Sequence, residues 1–330
     1  MDTLFLAYTG VRVSRLCFGT MSFGADADEP TSAALYGRCR DAGVNFFDTA
    51  NVYAGGRSEE ILGRLTGPHR DQVVIATKAY FPMSDDPNDR GTSRRHLMLS
   101  VEASLRRLQT DYVDLLYLHR FDDRTDIAQS LRALDDLVRR GKVLYTGASN
   151  FAAWQVAKAL GLCALNHWTA FSAIQPMYNL LKRQAEVEIL PMARSEGLAV
   201  FPYSPLAGGI LTGKYLDDDA PADARLRTNA MYQTRYAADS YSKTTRAFVA
   251  LARELGVRPA TLAVAWVGAH PGVTAPIIGA RTVDQLGGSL AAADLDLPAD
   301  IYARVAALSP EPPPATDRNE ERTTSTIDNR

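Results

Sequence analysis

Apolar and polar positions along the chain fall into two alternating rhythms. Short runs rich in β-branched and aromatic residues occur at 13–19, 45–49, 73–78, 113–119, 143–149, 171–175, 198–204 and 275–280, and each reads as a strand. Between them lie segments with helical spacing of apolar residues, such as 93–108 and 127–142, with Ser, Asp or Thr near the start. Strands that alternate with helices build parallel sheets, and eight such units predict a single-domain α/β protein, a (β/α)8 TIM barrel over residues 1–308. A doubly wound sheet is the rival. It calls for a GxGxxG fingerprint after the first strand, and "GTMSFGAD" does not match it. The stretch 205–242 breaks the rhythm, carries the acidic run 217–219, and is expected to form a long loop after strand seven, over the barrel mouth. Residues 309–330 are polar and Pro-rich and are expected to be a disordered tail.

Composition narrows the class without changing the fold. With 46% hydrophobic and 22% charged residues the chain is ordinary globular protein, and a net charge of −2 advertises no surface for nucleic acid or anionic lipid. Cys17, Cys39 and Cys163 are odd in number and lack metal-type spacing, which argues against a disulfide framework or metal site and fits a reducing cytoplasm. A signal peptide or membrane-length apolar run is not expected.

In a barrel of this type the C-terminal strand ends share one face and surround one pocket. Those ends carry Asp48 with Tyr53 beyond it, Lys78, His119, Ser149 with Asn150, Gln175, and Tyr203 with Ser204. The anchors are spaced roughly 25 to 40 residues apart, about one βα unit each. Taken singly, an Asp after a strand is more often a turn residue, and a rim His or Lys more often structural. Four complementary groups at one level are harder to explain that way. Lys78 beside Tyr53 is expected to lower the phenol pKa, Asp48 to hold Lys78 charged, and His119 to position a carbonyl oxygen. Such a set polarises C=O while hydride comes from elsewhere, which implies a nicotinamide cofactor.

A near P-loop, "GGILTGKY" at 208–215, places Tyr215 where a Mg²⁺-binding Ser or Thr is needed, so a nucleotide-hydrolysing reading is not favoured.

The motifs "GVNFFDTANVY", "IATK", "RLQTDYVDLLYLHR", "GKVLYTGASNF", "IQPMYNLL", "FPYSPLAGGILTGKY" and "APIIGARTVDQL" together resemble the aldo-keto reductase family, from about residue 4 to 308. The resemblance implies NADPH-dependent reduction of an aldehyde or ketone. Asp48, Tyr53, Lys78 and His119 then correspond to the catalytic tetrad, with Tyr53 as general acid. Ser149, Asn150 and Gln175 match the nicotinamide-carboxamide site, and Tyr203 the aromatic that stacks on the ring. Ser204, Leu206 and Gly208 match the pyrophosphate loop, with Gly19 and Thr20 at the end of the first strand. Gly279, Ala280, Arg281 and Gln285 match the adenosine-phosphate site. Gly288 and Ser289 replace the Glu-Asn pair common in relatives, which puts two adenine contacts in question. The alternatives are a cofactor-binding regulatory subunit like the potassium-channel β subunits, against which the short segment before the barrel counts, or a dedicated ketoreductase of sugar or secondary metabolism.

Overall fold

The computed structural model describes residues 1–216, 224–238 and 240–316. Strands β1 (Thr3–Phe5) and β2 (Arg12–Ser14) form an antiparallel hairpin. Eight parallel strands follow: β3 (Cys17–Gly19), β4 (Phe46–Asp48), β5 (Val74–Ala79), β6 (Val113–Leu118), β7 (Val143–Ser149), β8 (Phe171–Gln175), β9 (Ala199–Val200) and β10 (Ile277–Ile278). Each pairs with the next from β3 to β9, and β10 pairs back on β3. The ring closes between β9 and β10 through backbone bonds, Thr274 N to Val200 O at 2.9 Å and Ile277 N to Pro202 O at 2.8 Å.

The helices are α1 (Glu29–Asp41), α2 (Arg57–Thr66), α3 (Arg94–Leu108), α4 (Ile127–Arg139), α5 (Ala153–Asn166), α6 (Ile189–Ser195), α7 (Arg225–Thr228), α8 (Ala230–Arg235), α9 (Ser240–Glu254), α10 (Pro259–Ala269), α11 (Val283–Leu290) and α12 (Ala299–Ala306). The predicted capping chemistry is used: Asp28, Ser93 and Asp126 each accept a backbone N–H in the first turn of α1, α3 and α4, a contact worth about 1 kcal/mol apiece.

The period of two along the strands sorts side chains into two cores. Phe47, Ile75, Leu116 and Val200 point outward to the helices, while Phe46, Val74, Ala76, Leu115, Tyr117 and Phe201 fill the barrel interior. Phe46 and Phe201 meet edge to face at 4.8 Å across it. Continuing the inward register toward the C-terminal ends reaches Gly19, Asp48, Lys78, His119, Ser149, Gln175 and Tyr203. Strand parity thus aims these residues into one space above the apolar plug.

Three expectations need correction. The strand predicted over 13–19 is two: β2 belongs to the hairpin, whose Leu6 and Val13 join the interior core, and β3 begins at Cys17. A chain that must first plug the barrel floor and then enter its wall has to turn between them. The strands predicted at 198–204 and 275–280 contribute only two ladder residues each, at 199–200 and 277–278. The segment 205–242 is not a plain loop. It carries a 3₁₀ turn at Ala207–Thr212, then α7 and α8, and α9 begins at its end. The acidic run 217–219 and residues 317–330 lie outside the described residues. No helix among the described residues is long and apolar enough to cross a membrane.

Candidate active site

Lys78, at the end of β5, is completely buried. Its ammonium donates to Asp48 Oδ1, to the carbonyl of Thr49 at 2.8 Å and to the Tyr53 hydroxyl at 3.4 Å. Asp48 receives a second bond on Oδ2 from Gln175 Nε2 at 2.8 Å. An ammonium with no access to water needs its hydrogens matched, and these three acceptors match them. His119 stands edge to face with Tyr53 at 6.0 Å and with Phe81 at 4.9 Å. Its Nδ1 is buried with no hydrogen-bond partner among the described residues. The four tetrad positions are therefore gathered into one cluster.

The electrostatics follow from burial as much as from charge. Asp48 and Tyr53 hold the Lys78 ammonium above its ordinary range against the opposing effect of burial. Burial pushes the Asp48 carboxyl up, with Lys78 and Gln175 opposing it. The expectation that Lys78 brings the Tyr53 phenol below its usual pKa is not met. Burial raises it first, Lys78 offsets only part of that, and Asp48 adds to the rise. The physical reason is that a phenolate in this site loses more hydration than one shared ammonium returns. The Tyr53 hydroxyl therefore stays protonated across the neutral range. Burial, then Lys78, drives His119 well below the usual imidazole range, so it is neutral.

His96, in the first turn of α3, is also buried and held low by burial, against the pull of Asp89. The unfolded chain protonates both imidazoles below about pH 6.5, whereas the folded chain takes up those protons only at lower pH. Their stabilising contribution is full above that pH and is lost as pH falls through and below it, with about 1.4 kcal/mol per pH unit for each proton taken up. Melting temperature is expected to decline from about pH 7 to 5, with a shallower slope in His96→Gln. An equal slope in that variant would mean that His96 titrates alike in both states.

The wall beside the tetrad is a hydrogen-bond chain. Tyr203 donates to Asn150 Oδ1 at 2.7 Å; Asn150 Nδ2 donates to His119 O at 2.9 Å and to Ser149 Oγ at 3.1 Å; Ser149 Oγ donates to Gln175 O at 2.9 Å. Asn150, Ser204, Ala207 and Ala54 all adopt positive φ, between 51° and 60°. Such backbone is costly outside glycine, about 1–3 kcal/mol per residue, and gathers at functional sites. Gly208 has φ of 69°, and a Cβ there would lie 2.7 Å from the Tyr232 ring on α8. A Cβ on Gly19 would lie 2.9 Å from Ile277. Thr20 Oγ1 shares a buried hydroxyl contact with Ser58 at 2.8 Å, and Leu206 precedes the 3₁₀ turn.

At the far end, Ser22 Oγ donates to Ala280 O at 2.7 Å next to Gly279, and Arg281 N donates to Gln285 Oε1 at 3.1 Å at the start of α11. Gly288 and Ser289 are buried. A Cβ on Gly288 would stand 3.3 Å from Ala260 Cβ, and Thr261 Oγ1 bonds Gly288 O at 2.7 Å. Gly288 therefore serves the packing of α11 on α10.

Sequence reasoning missed Phe81, Tyr232 and the Thr49 carbonyl. Phe81 follows Lys78 by three residues in an aromatic pair with Tyr80, a signal that was available. Tyr232 lies far along a segment read as loop, and a backbone carbonyl carries no sequence signal at all.

The family model described as "Aldo/keto reductase family" matches residues 15–310. The chain is 41% identical over 323 residues to an uncharacterized oxidoreductase, YrpG, of Bacillus subtilis, covering 94% of this chain and 97% of that protein. It is 39% identical to a probable voltage-gated potassium channel subunit beta of Oryza sativa, covering 88% and 90%. It is 35% identical to a norsolorinic acid reductase of Emericella nidulans, covering 87% and 76%.

Proposed function

The chain belongs to the aldo/keto reductase family, and from that we propose that it reduces an aldehyde or ketone to the alcohol, with NADPH as cofactor and Tyr53 as general acid. The observation that carries this reading is the buried Asp48–Lys78 pair within reach of the Tyr53 hydroxyl, beside a neutral His119.

The residues present suit a nicotinamide. Asn150 Nδ2 has spent both hydrogens, and Ser149 Oγ its only one. What the wall still offers is acceptor capacity on Asn150 Oδ1 and Ser149 Oγ. A ligand group there presents N–H donors, as a primary carboxamide does. Gly19 and Gly208, having no Cβ, let Ile277 and Tyr232 pack closely against the backbone that flanks this wall. In this reading Ser149, Asn150 and Gln175 hold the carboxamide, Tyr203 packs on the ring, and Gly19, Thr20, Ser204, Leu206 and Gly208 flank the pyrophosphate. Gly279, Ala280, Arg281 and Gln285 take the adenosine phosphate.

The bound cofactor supplies hydride. Tyr53 delivers the proton to the carbonyl oxygen, and Lys78 stabilises the phenolate left behind. Asp48 and the Thr49 carbonyl keep Lys78 charged and aimed. Neutral His119 donates a hydrogen bond to the same oxygen and fixes it near Tyr53. The buried, free cysteines support a reducing, cytoplasmic setting.

The likeness to a channel β subunit favours a second reading, a cofactor-binding regulatory subunit. Turnover of NADPH with a reactive aromatic aldehyde tests both. Steady consumption supports the reductase; binding without turnover supports the regulatory subunit.

Arg281→Ala is expected to weaken NADPH about ten- to a hundredfold while leaving NADH nearly unchanged, because a guanidinium–phosphate contact is worth roughly 1.5–3 kcal/mol and NADH has only a hydroxyl there. Fluorescence titration with both cofactors checks it. An unchanged affinity ratio would mean Arg281 does not read the 2′-phosphate.

A further inference from the structure

We infer that the Tyr203 hydroxyl is a positioning group, which through Asn150 sets both the acceptor offered to the cofactor and the His119 backbone. The inference rests on the reading above that this wall holds a nicotinamide.

An Asn side chain has two orientations that differ only by exchange of oxygen and nitrogen. Here the surroundings tell them apart. Reversal would turn Oδ1 toward the His119 carbonyl, which repels it, and toward Ser149 Oγ, whose hydrogen is committed to Gln175 O. On the other side Tyr203 supplies a donor at 2.7 Å, the one hydrogen bond its hydroxyl makes among the described residues. Burial keeps that phenol above its ordinary pKa, so it stays protonated and stays a donor. A ring that only packed against a ligand face would need no hydroxyl.

The hydroxyl also begins a set of linked hydrogen bonds. It leads from Tyr203 to Asn150, Ser149 and the backbone carbonyl of Gln175, and the side chain of that same Gln175 bonds Asp48, which with Lys78 reaches Tyr53. A branch runs from Asn150 to His119 O. Asn150 is held on left-handed backbone, with φ of 57°, so its short side chain reaches both neighbours from one place. Loss of the hydroxyl would free Oδ1 and loosen the amide that joins the carboxamide wall to the tetrad.

The test is a double-mutant cycle on NADP⁺ affinity with wild type, Tyr203→Phe, Asn150→Gly and the double variant, glycine being chosen because it accepts positive φ. Tyr203→Phe is expected to weaken binding about fivefold, the worth of one neutral hydrogen bond. Asn150→Gly should weaken it further, and the double variant should match Asn150→Gly alone. Tyr203→Phe should also lower kcat at saturating cofactor while leaving KM for the carbonyl substrate unchanged, a split that general loosening of the fold would not produce. Effects that multiply in the cycle, or a Tyr203→Phe protein that binds like wild type, would overturn the inference and leave the reductase reading intact. Should Asn150→Gly fail to fold, the split decides: kcat down with KM constant supports the inference, and any other pattern overturns it. Failure of wild type to bind NADP⁺ at all would defeat the functional reading itself.

Discussion

Tyr53→Phe is expected to lose roughly 10² to 10⁴-fold in carbonyl reduction, the range that one positioned general acid supplies, with cofactor affinity and melting temperature close to wild type. The phenyl ring keeps the edge-to-face contact with His119, so packing is preserved and only the transferable proton is removed. The raised pKa of the phenol adds a second expectation. Wild type should keep its acid loaded throughout the neutral range, with no fall in kcat from Tyr53 ionisation until well into alkaline pH. Single-turnover measurements across pH on both proteins are the check. Reduction by the Phe variant at near wild-type rate would remove Tyr53 from the mechanism.

Lys78→Met is expected to abolish measurable turnover and to destabilise the fold. Lys78 is completely buried, which rules out the view of it as a rim residue with its amine in water. Its removal leaves Asp48 with Gln175 Nε2 as its remaining side-chain donor. Breaking one side of a buried ion pair costs about 3–5 kcal/mol when the charge must stay. Asp48 reduces that cost by taking up a proton, and the pH dependence follows. With its folded pKa raised further above the unfolded value near 3.9, Asp48 binds more protons folded than unfolded, so the variant loses stability as pH rises above about 4. The melting-temperature gap to wild type should therefore widen from pH 5 to 8, on the order of several degrees. Adding Asp48→Asn should recover most of the stability and none of the activity. A constant gap would mean the loss is packing rather than an unpaired carboxylate.

Much of this architecture was legible from local pattern. β7 and β8 were read with their observed limits, and α3 and α4 to within a few residues, because Val, Ile, Leu and Tyr runs between helical periods leave few other solutions. That Asp48, Tyr53, Lys78 and His119 gather in one place was legible for a related reason. A parallel barrel puts every strand's C-terminal end on one face, so the sequence order of Asp48, Lys78 and His119 is already a spatial statement. The shortest strands were not legible. Ile277 and Ile278 read as part of a longer run because neighbours such as Pro276 and Ala280 are apolar and buried while lying outside the two-residue strand.

The sequence by itself determined the alternation of strands and helices, the parity that aims polar residues inward, and the chemical identity of the groups at the mouth. Only the tertiary structure decided how those groups behave. Whether Lys78 lowers the Tyr53 phenol depends on how much water the fold excludes, and desolvation proved the larger effect. Whether Gly288 faces a ligand or a helix depends on how closely α11 approaches α10. Whether Asn150 has acceptors or donors to spare depends on partners from two other strand ends. Burial, close approach and hydrogen-bond partnership are properties of the assembled space between elements, and residues that meet there lie scores of positions apart along the chain.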